Sequence, residues 1–302
     1  MKFGFVAVKL YAFIFSALVM LSGLFALLTG GLNLGIDFTG GTLLHFNMGR
    51  AFTLEEVRQA LEPFALQGSS LQQVGEVGAD GGEKQEILIR TPSLDPDRQA
   101  AVVTAFREHF VLPEEALLRV ETVGPVVGGE LQRQAVWALG LASLLMILYI
   151  TVRFEYRFAG AAILALLHDA LAIVAFFYLF KVEVNSPFVA AILTTLGYSV
   201  NATIIIFDRI RENLKSRRKE TLSALVESSI RQSLVRCVNS SLTTLLVLLT
   251  LYIFGGVTLR PFMAAMLVGV VLGTYSSIFL AGPLWLTWKE AATLRRTKAR
   301  PA

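Results

Sequence analysis

Six apolar runs, each close to the length that crosses a bilayer, leave few folds open to this chain. A helix needs roughly 20 apolar residues to span the hydrocarbon core. The runs are Val8–Leu28, Leu131–Thr151, Phe158–Phe180, Pro187–Phe207, Val235–Phe254 and Pro261–Trp285. Backbone amides in lipid must bond within their own segment, so each run is read as a helix and the chain as a polytopic membrane protein. The composition agrees. Of 302 residues, 54% are hydrophobic and 17% are charged, where soluble proteins carry about 25% charged residues. The first run has a basic start in Lys2 and Lys9, but it is longer than a signal-peptide core and no A-x-A pattern follows it. It is expected to be a retained helix.

Charge is segregated along the sequence. Residues 30–130 carry a net charge of −8 and the remainder +12. The bases gather at the N-terminus, in 152–158, in 208–236 and in the tail from Lys289. The positive-inside rule then puts both termini in the cytoplasm and the acidic segment outside. Topology accounts for the basic excess, so membrane lipids are expected partners and nucleic acid is not. The single cysteine, Cys237, excludes an internal disulfide and is expected to be a packing residue. Four parts follow: residues 1–29 with the first helix, an outer domain over 30–130, helices two to six over 131–288 with a cytoplasmic loop at 208–234, and a basic tail over 289–302.

The outer domain has a legible pattern. Leu44, Phe46 and Met48 alternate with His45 and Asn47, which marks a strand. Thr53-Leu54-Glu55-Glu56 is a capping box, and Leu54, Val57 and Leu61 form the stripe of the helix it opens. A weak strand over Leu71–Val77, a turn at Asp80-Gly81-Gly82 and a strand over Glu86–Arg90 suggest a hairpin. Asp95 with Pro96 opens a second helix whose inner face is Val103, Phe106 and Phe110, and a last strand covers Leu117–Val123. The order β-α-β-β-α-β is that of a ferredoxin-like α+β fold.

No enzyme motif is present. Gly35 to Thr42 has the glycine spacing of a phosphate loop, but Gly41 stands where its lysine would be. His45 and His109 lack companions at metal spacing. No catalytic residue, cofactor or metal is expected.

Polar residues inside the spans are the functional signal, because lipid makes them costly. His168-Asp169 lies near the middle of the third span, and Ala161, Ala165 and Asp169 share a face that lets a neighbour approach. The fourth span runs into LGYSVNATIIIFDRIREN, residues 196–213. Thr194, Tyr198, Asn201 and Asp208 form one stripe there; Thr195, Ser199 and Ala202 form the next. The fifth span begins with Arg236, followed on one face by Asn239, Ser240 and Thr243. Arg236 has two readings, a headgroup anchor or a cation within the bundle. Gly269, Gly273 and Ser277 make a small-residue packing face on the sixth span. Asp208, Arg209, Arg211 and Glu212 are expected to be a solvated, mutually paired cluster, and residues 214–234 an amphipathic helix on the membrane surface. A buried carboxyl, a nearby cation and polar groups between them are the parts of a proton relay, with the proton as coupling ion.

Gly31 to Gly41, Val123-Gly-Pro-Val-Val-Gly-Gly-Glu-Leu131, His168-Asp169, Gly197-Tyr-Ser-Val-Asn201 and Phe207-Asp-Arg-Ile-Arg-Glu-Asn213 together resemble the SecF family. The resemblance covers nearly the whole chain. It implies an RND-like transporter fold in a bacterial cytoplasmic membrane and pairing with SecD to complete a pseudo-symmetric bundle. It also implies work beside the SecY-E-G channel, with YajC or YidC as further partners, drawing a translocating preprotein outward with the proton gradient. In that family the residue after Asn201 is the proton-carrying Asp, and Arg236 matches its functional partner. Here the position is Ala202. Three explanations stay open: an engineered carboxylate knockout, which is preferred, a natural loss of coupling, or transfer of the role to Asp169. Asp169 matches the family's own His-Asp pair and is read as an accompanying residue. Two other functions are weighed, a small-molecule RND-type exporter and a non-transporting scaffold of the translocon.

Overall fold

The computed structural model describes residues 4–74, 86–216 and 220–298. The turn expected at Asp80-Gly81-Gly82 lies outside them. The chain forms two compact units, one of Leu34–Val136 and one of Met1–Asn33 with Trp137–Ala302.

The elements in chain order are α1 (Lys9–Thr29), β1 (Asn33–Leu34), α2 (Ile36–Thr39), β2 (Gly41–Asn47), α3 (Leu54–Leu61), β3 (Ser70–Val74), β4 (Glu86–Thr91), α4 (Pro96–Phe110), β5 (Leu117–Val123), α5 (Pro125–Arg153), α6 (Tyr156–Leu179), β6 (Glu183–Val184), α7 (Ser186–Lys215), α8 (Leu222–Phe254), α9 (Arg260–Tyr275) and α10 (Gly282–Lys298). A π-helical turn, Ser276–Ala281, joins α9 to α10.

Within the smaller unit, four strands form one antiparallel sheet in the order β3-β4-β2-β5. Leu44 pairs with Ile89 on one side and Val120 on the other. The core beneath is Leu44, Phe46, Val57, Leu61, Ile87, Ile89, Val102, Phe106 and Phe110. Thr53 and Asp95 cap α3 and α4 by accepting from the Glu56 and Arg98 amides. The helix stripes differ from expectation by one position each. Leu54 is exposed and Ala60 is buried in its stead, because the inward stripe follows Val57 by three and four residues. On α4, Val102 rather than Val103 is fully buried, four and eight residues before Phe106 and Phe110.

The same unit explains both glycine-rich motifs. Gly40 has φ of 71°, and a Cβ there would lie 2.8 Å from the Pro125 Cα. A Cβ on Gly128 would lie 2.8 Å from the Gly40 amide nitrogen. The turn before β2 and the first turn of α5 therefore touch backbone to backbone, which only glycine permits.

In the larger unit, six helices are long and apolar enough to cross a membrane: α1, α5, α6, α7, α8 and the segment Arg260–Thr293. Each contains or overlaps an expected span, and four ends extend well beyond it: α5 starts at Pro125 and the last segment runs to Thr293. α7 continues through Lys215, and α8 begins at Leu222. Of residues 214–234, expected as an amphipathic helix on the membrane surface, 214–215 end α7 and 222–234 are the first turns of α8. Nothing between Leu222 and Val235 breaks a helix, and Leu225, Val226, Ser229, Ile230 and Ser233 are buried. That stripe packs on protein and not on lipid.

Small residues set the close approaches. α1 turns Ala12, Ser16, Gly23 and Ala26 inward, and a Cβ on Gly23 would collide with the Leu171 carbonyl of α6. Ala161 and Ala165 are fully buried, as expected of a packing face. At one end of the bundle Phe158 stacks on Trp285 with ring centroids 4.5 Å apart, and Phe207 meets Phe158 edge-on at 4.9 Å.

Two substitutions separate strain from contact. Gly49 has φ of 62° with nothing near its Cβ, so Gly49→Ala is expected to cost about 1–2 kcal/mol, the penalty of a left-handed residue. Gly40→Ala adds the Pro125 clash to the same penalty and is expected to lower the melting temperature clearly further. Thermal unfolding of both variants in detergent checks the order.

Candidate functional site

The seam between α7 and α9 is built from three matched pairs. A Cβ on Gly269 would overlap the Thr195 side chain, and one on Gly273 would lie 3.0 Å from the Ser199 Cβ. One turn further on, the Thr203 hydroxyl bonds the Ser277 hydroxyl at 2.9 Å. Positions 195, 199 and 203 thus meet 269, 273 and 277 in register, as two parallel stripes four residues apart. The glycines draw the helices together, and the hydroxyls of α7 fill the space they leave.

Asp169 of α6 enters this seam. Its Oδ1 meets His168 Nδ1 at 2.9 Å. Its Oδ2 accepts from the Ser276 hydroxyl at 2.8 Å and from the Ser199 hydroxyl in a short bond. His168, Asp169, Ser199 and Ser276 are all fully buried. His168 and Asp169 are the only Asp, Glu, His, Lys or Arg residues buried among the described residues of this unit. An uncompensated charge there would be costly, and three hydrogen bonds on one carboxyl are the compensation. His168 Nε2 is buried with no hydrogen-bond partner. The His168 ring lies 5.9 Å from the Tyr275 ring, and Tyr275 reaches the Ser16 hydroxyl at 3.3 Å and the Ala12 carbonyl at 3.0 Å on α1. One carboxyl therefore ties α6 to α7 and to the π-turn, and the tyrosine beside it ties α9 to α1.

The other expected site residues lie elsewhere. Ala202 is buried on α7, 6% exposed. Asn201, Arg236, Asn239, Ser240 and Thr243 are exposed on α7 and α8. The fifth-span ladder, read as an interior face, thus points out of this chain's own helices. Thr243 bonds back to the Ser240 carbonyl at 2.9 Å, but no ion pair or side-chain hydrogen bond of Asn201, Arg236 or Asn239 is found among the described residues. Tyr198 is half-buried and donates to Ser241 at 3.2 Å, which in turn meets Thr274 at 2.6 Å. Ser241, Thr274, Ser276 and Thr203 were not singled out from the sequence. The four-residue spacing of Thr195, Ser199 and Thr203 on α7 and the polar run Thr274–Ser277 were the available signals.

The charged cluster after the fourth span is paired as expected and also braces three helices. Asp208 takes Arg153 of α5 at 3.3 Å and Arg211 at 3.4 Å. Arg209 holds Glu212 at 2.6 Å and Gln232 of α8 at 2.6 Å. Asn213 donates to Ser229 and Gln232 of α8. In the smaller unit, His45 is taken up by Glu86 at 2.8 Å across the sheet.

Comparison with known proteins agrees with this architecture. Residues 103–291 match the family described as protein export membrane protein SecD/SecF, C-terminal, and residues 25–44 match the SecD/SecF GG motif. The protein translocase subunit SecF of Sebaldella termitidis is 43% identical over 290 residues, covering 96% of this chain and 91% of that protein. The subunit SecDF of Bacillus subtilis is 39% identical over 293 residues, 95% of this chain but 38% of that protein. A crystal structure of SecDF from Thermus thermophilus superposes with a TM-score of 0.86 at 36% identity, over 96% of this chain and 39% of that one. The chain therefore spans well under half of each SecDF polypeptide. Six spanning helices, the two glycine motifs and these matches together show that the chain is a multi-pass membrane protein belonging to the SecF family of protein translocase subunits.

Proposed function

We propose that this chain is a proton-motive-force-driven subunit of the Sec export machinery that works paired with SecD beside the SecY-E-G channel. The observation that carries the pairing is the exposed polar face. Arg236, Asn201 and Asn239 sit on spanning helices and are left without partners by their own chain. Polar side chains on spanning helices are costly to leave in lipid, so that face calls for a second protein to cover it. SecDF relatives, which carry a SecD part in the same polypeptide, supply a partner of matching kind. YajC or YidC are further neighbours in this reading, and lipid covers the remaining faces.

The charge asymmetry supports an inner-membrane orientation with both termini in the cytoplasm and residues 30–130 outside. The strand order β3-β4-β2-β5 supports a ferredoxin-like assignment for that outer domain, which would touch the emerging preprotein. The membrane potential supplies about 2.3 kcal/mol per charge per 100 mV.

Ala202 occupies the position where the family carries its proton-binding Asp, with Arg236 as that residue's partner. In this reading the chain is coupling-defective at that position. A methyl group there favours one further reading, a subunit that steadies the translocon without driving it.

The test is proton flux and preprotein export in vesicles holding the chain with SecD. Ala202→Asp is expected to raise both by about tenfold or more, as an added proton-transfer group does, and Arg236→Ala is expected to cancel the gain. Unchanged flux and export would sink the coupling claim and leave the scaffold. Cross-links from residues 34–136 to a translocating preprotein are expected; cross-links to no exported chain would return the small-molecule exporter.

A further inference from the structure

The carboxyl of Asp169 and the π-turn are joined through one hydroxyl that has two acceptors. Ser276 Oγ lies 2.8 Å from Asp169 Oδ2 and 3.2 Å from the Gly273 carbonyl. It has one proton to give and can satisfy only one of them at a time. Ser276 is also the first residue of the π-turn, and its amide is shared between the carbonyls of Leu272 and Gly273. The Gly273 carbonyl further receives the Ser277 hydroxyl at 2.8 Å. The irregular turn is thus held open by a side-chain tie to α6, with a competing acceptor already within reach. Such turns are frequent at functional sites.

The surroundings set the charge of the site. With its proton on Nδ1 the His168 ring can donate to Asp169, and the unpartnered Nε2 is then a buried acceptor and carries no proton. Nδ1–H then donates to Asp169 Oδ1, and the pair holds one net negative charge. Every packed element is otherwise uncharged at this depth. α1 offers Ser16, α7 offers Thr195, Ser199 and Thr203, α9 offers Tyr275, and the π-turn offers Ser276 and Ser277. The described ionisable residues of α10, Lys289 and Glu290, pair at the surface with Glu155 and Lys9.

We propose that Asp169 is a proton-binding site in its own right, independent of position 202, and that filling it hands the Ser276 proton to Gly273 and weakens the tie of the π-turn to α6. One proton enters and forms an O–H bond at Oδ2. The Ser276 O–H rotates to the Gly273 carbonyl, and the new Oδ2–H donates to the Ser276 oxygen. Nothing is oxidised or reduced, and the buried pair becomes neutral. The charge-assisted bond between α6 and the α9–α10 joint is then replaced by a weaker neutral one, while Ser277 and Thr203 keep the α7–α9 seam closed. The proposal rests on the proton-coupled reading only for the source of the protons.

The test uses the full-length chain in lipid nanodiscs without any gradient, so that it stands or falls apart from export activity. Infrared difference spectra between acid and neutral pH report the Asp169 carboxyl, and amide hydrogen exchange, taken relative to the intrinsic rate at each pH, reports residues 276–281. Acidification is expected to speed exchange there by about tenfold or more, the factor that loss of one hydrogen bond to a charged acceptor represents. Asp169→Asn is expected to exchange fast at both pH values and to lose a carboxyl band. Ser276→Ala is expected to exchange fast at both pH values and to keep that band. Exchange that ignores pH in the native chain, or that still follows pH in either variant, overturns the proposal. Because Ser276→Ala removes only a hydroxyl, it decides the matter even where Asp169→Asn does not fold.

Discussion

The close contact of α7 with α9 is the interaction on which the rest of the larger unit depends. Gly269 and Gly273 bring the two backbones near enough for Thr195 and Ser199 to fill the gap. In a membrane there is little hydrophobic gain between helices, so association rests on packing and interhelical hydrogen bonds. The seam supplies both, and it also makes the polar site possible. Ser199 can reach Asp169 of α6 and Ser276 can reach it from the far side because α9 lies so close. With a bulkier residue at Gly273, Ser199 and Ser276 could not converge on one carboxyl, and a buried Asp would lose the bonds that make its burial tolerable.

Much of this was legible in the sequence, because lipid simplifies the code. Apolar runs of spanning length can only be helices, and the small-residue stripe on the sixth span announced a packing face. What the sequence could not give was the mate. Thr195, Ser199 and Thr203 repeat every four residues just as Gly269, Gly273 and Ser277 do, but period alone does not say which stripe meets which. Asp169 was recognisable as a residue that must face protein, whereas Ser276 looked like one more small residue. The π-turn at Ser276–Ala281 left no mark in the apolar pattern of the sixth span, and the bond of its first residue to Asp169 joins groups far apart in the sequence.

Two features turn on what covers a polar or amphipathic face. Arg236, with Asn239, Ser240 and Thr243 behind it, has two readings, a headgroup anchor or a cation within the bundle, and residues 214–234 are expected as an amphipathic helix on the membrane surface. The ladder is exposed and the early turns of α8 are buried. Polarity within a helix says that a face avoids lipid; it does not say whose protein covers it. Likewise an amphipathic stretch buries its apolar side against whichever surface is nearest, and the brace of Arg209 and Asn213 on Gln232 and Ser229 provides that surface.

These two placements divide the polar groups of the helices into distinct kinds. Asp169, His168, Ser199 and Ser276 meet one another inside a single chain. Arg236, Asn201 and Asn239 are left for something outside the chain to meet. A carboxyl at position 202 would lie on α7 next to Asn201, close to the boundary between the two groups. The architecture of the larger unit is held by the α7–α9 seam and the Asp169 tie, neither of which passes through residue 202.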